Sequence, residues 1–180
     1  HLEKRRLVRR LNLVGGPLMI LRLMRTLATA AAGVWLGGMI VIAIVASTTF
    51  GVMRTTEVPK PNTIAGQVMA KNFARFDRVQ LICGGLLASW QAASLLSGQR
   101  SRRDVMRSIL IAVAVAQMLV SALHMTPKIA SMQPALGAAD SEVVVKAAFD
   151  DFHKSAVLLS QATMLIVLAV LLEMTWPARS

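Results

Sequence analysis

Apolar residues in this chain are gathered in long uncharged runs and do not alternate with polar ones. The four longest runs extend over Thr26–Gly51, Val79–Ser97, Ser108–Met125 and Ser155–Thr175, and only Glu173 breaks the rule, near the end of the fourth. A bilayer core about 30 Å thick is crossed by roughly 20 residues of α-helix, so each run is long enough to span it. Runs without period-two alternation favour helices over barrel strands. The pattern predicts an all-α integral membrane protein, a four-transmembrane-helix bundle.

Composition supports the same environment. Of 180 residues, 55% are hydrophobic and only 16% are charged, too few for an ordinary soluble domain. The formal net charge of +11 comes from 20 Lys and Arg residues that lie almost wholly between the apolar runs. Basic residues in that position indicate contact with anionic lipids and not with nucleic acid. The single cysteine, Cys83, excludes an internal disulfide framework and a thiolate zinc site.

The distribution of basic residues predicts the orientation of the chain. The segment before span one, the loop between spans two and three and the C-terminus carry twelve Lys and Arg residues, against eight on the opposite side. Since basic loops are retained in the cytoplasm, we expect both termini to be cytoplasmic, in a bacterial inner membrane. Residues 1–25 form a basic leader, either an interfacial helix or a solvated tail, and residues 26–176 form the membrane domain.

Both outer connections have helical patterns. Between spans one and two, the stretch Thr63–Arg78 is amphipathic, which predicts a helix on the membrane surface or, alternatively, a lid over the bundle. Before span four, Asp140 is suited to cap a helix running from Ser141 into the span. Asp150 and Asp151 on that helix are either solvated or form a cation or docking site.

Small residues in spans one and two indicate close helix packing. Their spacing lets backbones approach where no hydrophobic force drives association, although a substrate groove is an alternative. The residues expected at these contacts are Gly33, Gly37, Gly38, Gly84 and Ala88.

Polar residues in spans three and four predict a polar interior in the outer half of the bundle. Gln117, Ser121 and His124 share one helical face, and Ser160 and Gln161 lie about two turns into span four. We expect these side chains to form hydrogen bonds between helices.

Two histidines are the best candidates for cofactor ligands. His124 ends span three and His153 begins span four, so both lie at the outer side of the bundle. Imidazoles on facing helices can ligate haem iron, a chlorophyll-type magnesium or copper, and Met125 and Met132 are suitable soft ligands for copper. The favoured interpretation of both histidines is nevertheless a hydrogen-bonded structural role with no cofactor.

Familiar catalytic motifs are absent from the sequence, so we expect no enzymatic activity. No carboxylate lies well inside any of the four apolar runs, which argues against ion-driven transport.

Short motifs in a characteristic order resemble the transmembrane-protein-205-like family, a membrane domain of unknown function. They are Ala32–Gly38, Phe50, Ala65-Gly66, Asn72–Phe76, Pro127 and Phe152-His153. The resemblance covers roughly residues 24–176 and implies a four-helix membrane domain without established enzymatic activity. A more distant similarity, to copper-resistance membrane proteins with a Trp-x-Gly-Gly pattern in their first span, implies copper handling.

Three functions are consistent with these features. The favoured one is a non-catalytic accessory or assembly subunit that packs against other membrane proteins. The alternatives are a haem, pigment or copper binding protein that uses His124 and His153, and a protein of soft-metal or drug tolerance or export.

Overall fold

Helices make up every regular element in the residues that the computed structural model describes, 16–97, 101–132 and 142–176. In chain order these are α1 (Gly16–Arg54), α2 (Pro61–Leu96), α3 (Arg102–Val120), a π-helical turn (Ser121–Met125), α4 (Thr126–Met132) and α5 (Glu142–Thr175). The π-helical turn and α4 continue α3 without a break, and we call this continuous helix, Arg102–Met132, the α3–α4 rod. Four helices in these ranges are long and apolar enough to cross a membrane. The predicted all-α, four-transmembrane-helix architecture is confirmed.

The helices run alternately up and down around one apolar core. α1 and α2 form an antiparallel hairpin, α3 lies beside α2, and α5 closes the ring by packing on both α3 and α1. Trp35, Leu87, Val167 and Val170 are the largest fully buried side chains. Since these come from α1, α2 and α5, the core is shared between helices that are distant in sequence.

α1 is longer than the predicted first span. It begins ten residues before Thr26 and ends three residues after Gly51, so Arg22 and Arg25 belong to the same helix as the span. Charged side chains do not end a helix, because their backbone groups keep the hydrogen bonds of the helix. Residues 1–15 of the leader and Asp140 lie outside the described residues.

The amphipathic stretch before span two does not form a separate surface helix. Residues 63–78 are the first half of α2, which continues through Val79 to Leu96. Lys71, Arg75 and Arg78 are exposed, as the amphipathic pattern predicted. No glycine or proline lies at the junction, and the buried face continues in phase from Met69 to Gln80, so the chain has no reason to break there.

α3 does not end at Met125 as predicted. The helix passes through Pro127 and continues to Met132, with the π-helical turn directly before the proline. In a regular α-helix the ring of Pro127 would clash with the carbonyl of Leu123, and its missing N–H would leave that carbonyl unpaired. The wider π-helical turn accommodates both effects and lets the helix continue.

A candidate polar site inside the bundle

A buried carboxyl group, Asp77, lies near the middle of α2. Only 7% of Asp77 is exposed, and it belongs to a buried face that includes Met69, Gln80, Gly84 and Leu87. The expectation that no carboxylate lies inside the bundle is therefore wrong. It was wrong because the span was taken to begin at Val79, after the last charge, whereas the helix and its buried face begin well before it.

Asp77 also lies deep along the axis of the bundle. Gln91, on the same helix, marks one polar end of the bundle, and Asp77 is fourteen residues away from it. At 1.5 Å per residue that separation is about 21 Å, inside a hydrocarbon core about 30 Å thick. Asp77 is thus nearer to the end that carries the α1–α2 turn.

Gln80 connects Asp77 to the central tryptophan of α1. The indole N–H of Trp35 donates to Oε1 of Gln80 at 2.9 Å, and Nε2 of Gln80 donates to Oδ1 of Asp77 at 3.5 Å. Since an indole N–H can only donate, it requires the amide oxygen of Gln80 to face Trp35. The amide NH₂ must then face Asp77, so the orientation of the whole chain of hydrogen bonds is determined.

Thr126 approaches the same carboxyl group from the neighbouring helix. Its hydroxyl lies near enough to Asp77 to stabilise the carboxylate. Thr126 is the residue that directly follows the π-helical turn and precedes Pro127. The turn therefore determines where this hydroxyl lies, and α1, α2 and the α3–α4 rod all contribute to one polar site. We call Trp35, Gln80, Asp77 and Thr126 the Asp77 site.

A second interhelical hydrogen bond joins α3 and α5. The hydroxyl of Thr163 donates to Oε1 of Gln117 at 3.0 Å and also approaches the carbonyl of Leu159 at 2.8 Å. Gln117 is half-buried, and its partner Thr163, which was not among the predicted interior residues, is buried. A threonine in an apolar run was the only signal for it.

The other residues predicted to lie in the interior differ in their exposure. Ser121 is half-buried at the start of the π-helical turn, but Ser160 and Gln161 are exposed. The inward face of α5 passes through Leu159 and Thr163. Ser160 and Gln161 follow Leu159 by one and two residues, which rotates them about 100° and 200° away from it. Their placement in the interior was therefore wrong.

Arg107 organises a polar cluster at the end of the bundle opposite the α1–α2 turn. Its guanidinium pairs with Asp104 and with Glu173 of α5, at 3.3 Å in the latter case. Nε donates to Oε1 of Gln91 at 2.8 Å. The amide NH₂ of Gln91 in turn donates to Oγ of Ser108 at 2.6 Å. Three helices are thereby joined by one side chain that is only 12% exposed.

Further contacts complete this end of the bundle. The guanidinium of Arg107 lies over the ring of Trp90, 4.6 Å from its centroid, a favourable cation–π position. Arg25 donates to the backbone carbonyl of Met174 at 2.8 Å, which joins α1 to α5. From the sequence, Arg107 was expected among the basic residues of the loop between spans two and three. The signal for the cluster in the sequence was Glu173, a carboxylate near the end of span four. In an antiparallel pair of helices, the end of span four lies beside the basic start of span three.

The two histidines lie at the end of the bundle that carries the α1–α2 turn, and each contacts a different phenyl ring. His124 is exposed, and its ring lies 5.8 Å from that of Phe152 at a tilt of 53°. His153 is exposed and stacks on Phe149 one turn earlier in its own helix, at 5.8 Å. Met125 and Met132 are half-buried. Within the described ranges, no group of three or more His, Cys, Asp or Glu side chains is arranged to hold a metal ion.

The five expected packing residues fall into two groups. A Cβ atom at Gly38 would overlap the Phe76 ring, and one at Gly84 would lie 2.9 Å from Sδ of Met118. These two glycines form the close contacts of the bundle. Gly33 and Gly37 have nothing within 4 Å of a Cβ position, and Ala88 is exposed, so these three are not at the close contacts of the bundle.

Comparison with known proteins places this architecture in a family. Residues 30–137 match the family described as Domain of unknown function (DUF4149). The match includes Trp35, Asp77, Gln80 and Thr126, and thus the whole Asp77 site. No curated protein and no solved structure matches the chain. Since the match extends over more than half of the 180 residues, the chain belongs to the DUF4149 family of uncharacterised domains, here an integral membrane protein.

Proposed function

We propose that this protein is a non-catalytic accessory subunit that docks onto another membrane protein through the outer face of α1. The observation that carries the proposal is a difference in packing among the glycines of α1. Gly38 packs against another helix within the bundle, whereas Gly33 and Gly37 face open space. We call Gly33, Gly37 and their exposed neighbours Val34 and Val41 the α1 face.

The spacing of Gly33 and Gly37 favours a helix as the partner of the α1 face. In lipid, helices associate by van der Waals packing, and two glycines four residues apart let a second backbone approach closely. Val34 is 56% exposed and Val41 is 59% exposed, so they provide ridges beside this shallow groove. A transmembrane helix of a partner subunit has the shape and the apolar surface that complement it.

The interior of the bundle supports a scaffold role. Throughout the described residues, every buried side-chain nitrogen or oxygen atom has a hydrogen-bond partner. The polar groups that join the helices are thus engaged with one another, which favours a stable platform that presents its outer surface to a partner.

We also propose a bacterial inner-membrane location with both termini cytoplasmic. The support is the excess of basic residues at the end of the bundle that contains Arg22, Arg25 and the α2–α3 connection. We further propose that the family relationship extends to transmembrane-protein-205-like proteins, because the motifs that resemble them lie mostly within the matched residues 30–137.

The docking proposal is tested by enlarging the open glycines. We expect the double variant Gly33→Leu/Gly37→Leu to fold normally, because both positions have free space, and to lose the partner subunit. The measurement is native gel electrophoresis and mass spectrometry of complexes extracted from native membranes in mild detergent. Gly85→Leu on α2 is the matched control, since it also faces open space on a different helix.

The possible outcomes distinguish a different subunit from a second copy of this chain as the partner of the α1 face. Loss of a heterologous subunit in the double variant and not in Gly85→Leu supports the proposal. A wild-type protein that is only monomeric contradicts it. A complex that contains only this chain contradicts the accessory role and assigns the face to a second copy.

A further inference from the structure

We propose that Asp77 is a proton-binding site of the membrane bundle, exchanging protons with the side that carries the α1–α2 turn. Proton uptake adds H⁺ from water to a carboxylate oxygen and forms the O–H of a neutral carboxylic acid, and release returns H⁺ to water. The proposal is independent of the docking function proposed for the α1 face.

The burial of Asp77 without a cationic partner is the starting observation. The carboxyl group is buried, and across the ranges 16–97, 101–132 and 142–176 no basic side chain lies within salt-bridge distance of it. Ionisable groups in the hydrocarbon region are costly, and those that persist mark proton or ion pathways. A carboxyl group can avoid this cost by binding a proton, which makes it neutral.

The neighbours of Asp77 favour a proton over a metal cation. The NH₂ group of Gln80 faces the carboxyl group and is held there by Trp35. An N–H donor directed at the site repels a metal cation and leaves few oxygen ligands, whereas hard cations such as magnesium and calcium take six or more. A proton needs a single carboxylate oxygen.

Thr126 supplies what the protonated form requires. In the carboxylate form, Gln80 donates to Asp77, and the nearby hydroxyl of Thr126 can donate to it as well. After proton uptake the new O–H needs an acceptor, and the amide NH₂ of Gln80 cannot accept. The hydroxyl of Thr126 can both donate and accept, so its bond to Asp77 reverses direction. Because Thr126 directly follows the π-helical turn, this reversal links the protonation state of Asp77 to the conformation of that turn.

Other charged groups near this level of the bundle belong to its surface. α1 has no charged residue between Arg25 and Arg54. The charged or titratable residues that α2, the α3–α4 rod and α5 place around the outer half, among those whose exposure the structure describes, are all exposed: Lys71, Arg75, Arg78, His124, Lys128, Lys146, Asp150, Asp151, His153 and Lys154. Asp77 differs from all of these groups in being buried, so the carbonyl stretch of its protonated form is distinguishable by its dry environment.

Infrared difference spectroscopy tests the proposal directly. Spectra of the full-length protein in lipid nanodiscs are recorded in acidic and in alkaline buffer and subtracted. We expect wild type to show the carbonyl stretch of a protonated carboxylic acid in a dry environment. That band should be absent from Asp77→Asn and present in Asp151→Asn, a matched control that removes an exposed carboxyl group. Identical difference spectra for wild type and Asp77→Asn overturn the proposal.

A second measurement leaves Asp77 unchanged. In protein labelled with ¹³C at the aspartate carboxyl groups, the band should shift in frequency with the label. It should shift again in Thr126→Val, which removes the hydroxyl and preserves the shape. A band that moves in Thr126→Val supports the link through Thr126, and one that does not move overturns it. Amide hydrogen exchange of residues 121–125 should depend on pH in wild type and lose that dependence in Asp77→Asn.

Discussion

Trp35 of α1 donates its indole N–H to Oε1 of Gln80 of α2 at 2.9 Å, at the centre of the bundle. Trp35 is fully buried, so this hydrogen bond is formed in an apolar environment. It ties the two arms of the α1–α2 hairpin together midway along their length. It also orients Gln80 toward Asp77, so that one bond serves both the packing of the hairpin and the arrangement of the Asp77 site.

Removing either partner of this bond should destabilise the bundle. Trp35→Phe or Gln80→Leu leaves the other group buried and unpaired, at a cost of about 1–3 kcal/mol. The double variant should cost less than the two single variants combined, by about 0.6 kcal/mol and at most about 1.7 kcal/mol. Equilibrium unfolding in mixed micelles measures all four proteins. Strictly additive effects would mean that the two side chains do not interact.

Adjacent glycines of α2 should differ sharply in their tolerance of a methyl group. Gly84 is buried against Met118 and Trp35, whereas Gly85 has nothing within 4 Å of a Cβ position. Gly84→Ala should lower the free energy of unfolding by about 1 kcal/mol, because the flexible end of Met118 must move aside. Gly85→Ala should raise it by about 0.5–1 kcal/mol, because alanine is favoured over glycine inside a helix. Thermal unfolding in detergent compares the two. Equal effects would contradict the packing at Gly84.

Arg107 should be the most sensitive of the basic residues at its end of the bundle. Arg107→Met leaves Asp104 and Glu173 without their cation and Gln91 without a donor, at a cost of about 3 kcal/mol. Arg107→Lys should rescue only partly, because a lysine ammonium cannot reproduce the planar fork of donors. Arg103→Met, at an exposed position of the same helix, is the control. Thermal stability in detergent is the readout, and equal losses in Arg107→Met and Arg103→Met would rule out the cluster.

The orientation of the bundle is testable by cysteine labelling. Cys83 is buried, and Cys83→Ala provides a cysteine-free background. Thr56→Cys, in the α1–α2 turn, should react with a membrane-impermeant maleimide in intact cells. Ser97→Cys, at the end of α2, should react only after the membrane is opened. Both positions are exposed, so a reversed pattern would place the termini outside.

Sequence patterns were sufficient for the architecture. Hydrophobic runs of 18 residues or more, such as Val79–Ser97, determine where helices must cross a bilayer, because each backbone polar group in lipid has to be satisfied within its own segment. The same physics made the chain identifiable as a membrane protein from composition alone. Helix ends were harder to predict, because the charge of Arg78 and the ring of Pro127 both suggested boundaries. α2 nevertheless continues through Arg78, and the α3–α4 rod continues past Pro127 because the π-helical turn accommodates the proline.

Only the tertiary structure decided which residues meet. Helical periodicity places Gly37 and Gly38 only 100° apart, and nothing in the sequence states that the second contacts Phe76 while the first faces open space. The rotation of each helix about its axis depends on packing against its neighbours. For the same reason Asp77, which lies next to two exposed arginines in the sequence, is buried within the bundle. The buried face of α2 is determined by its packing against α1, whose Trp35 is far away along the chain.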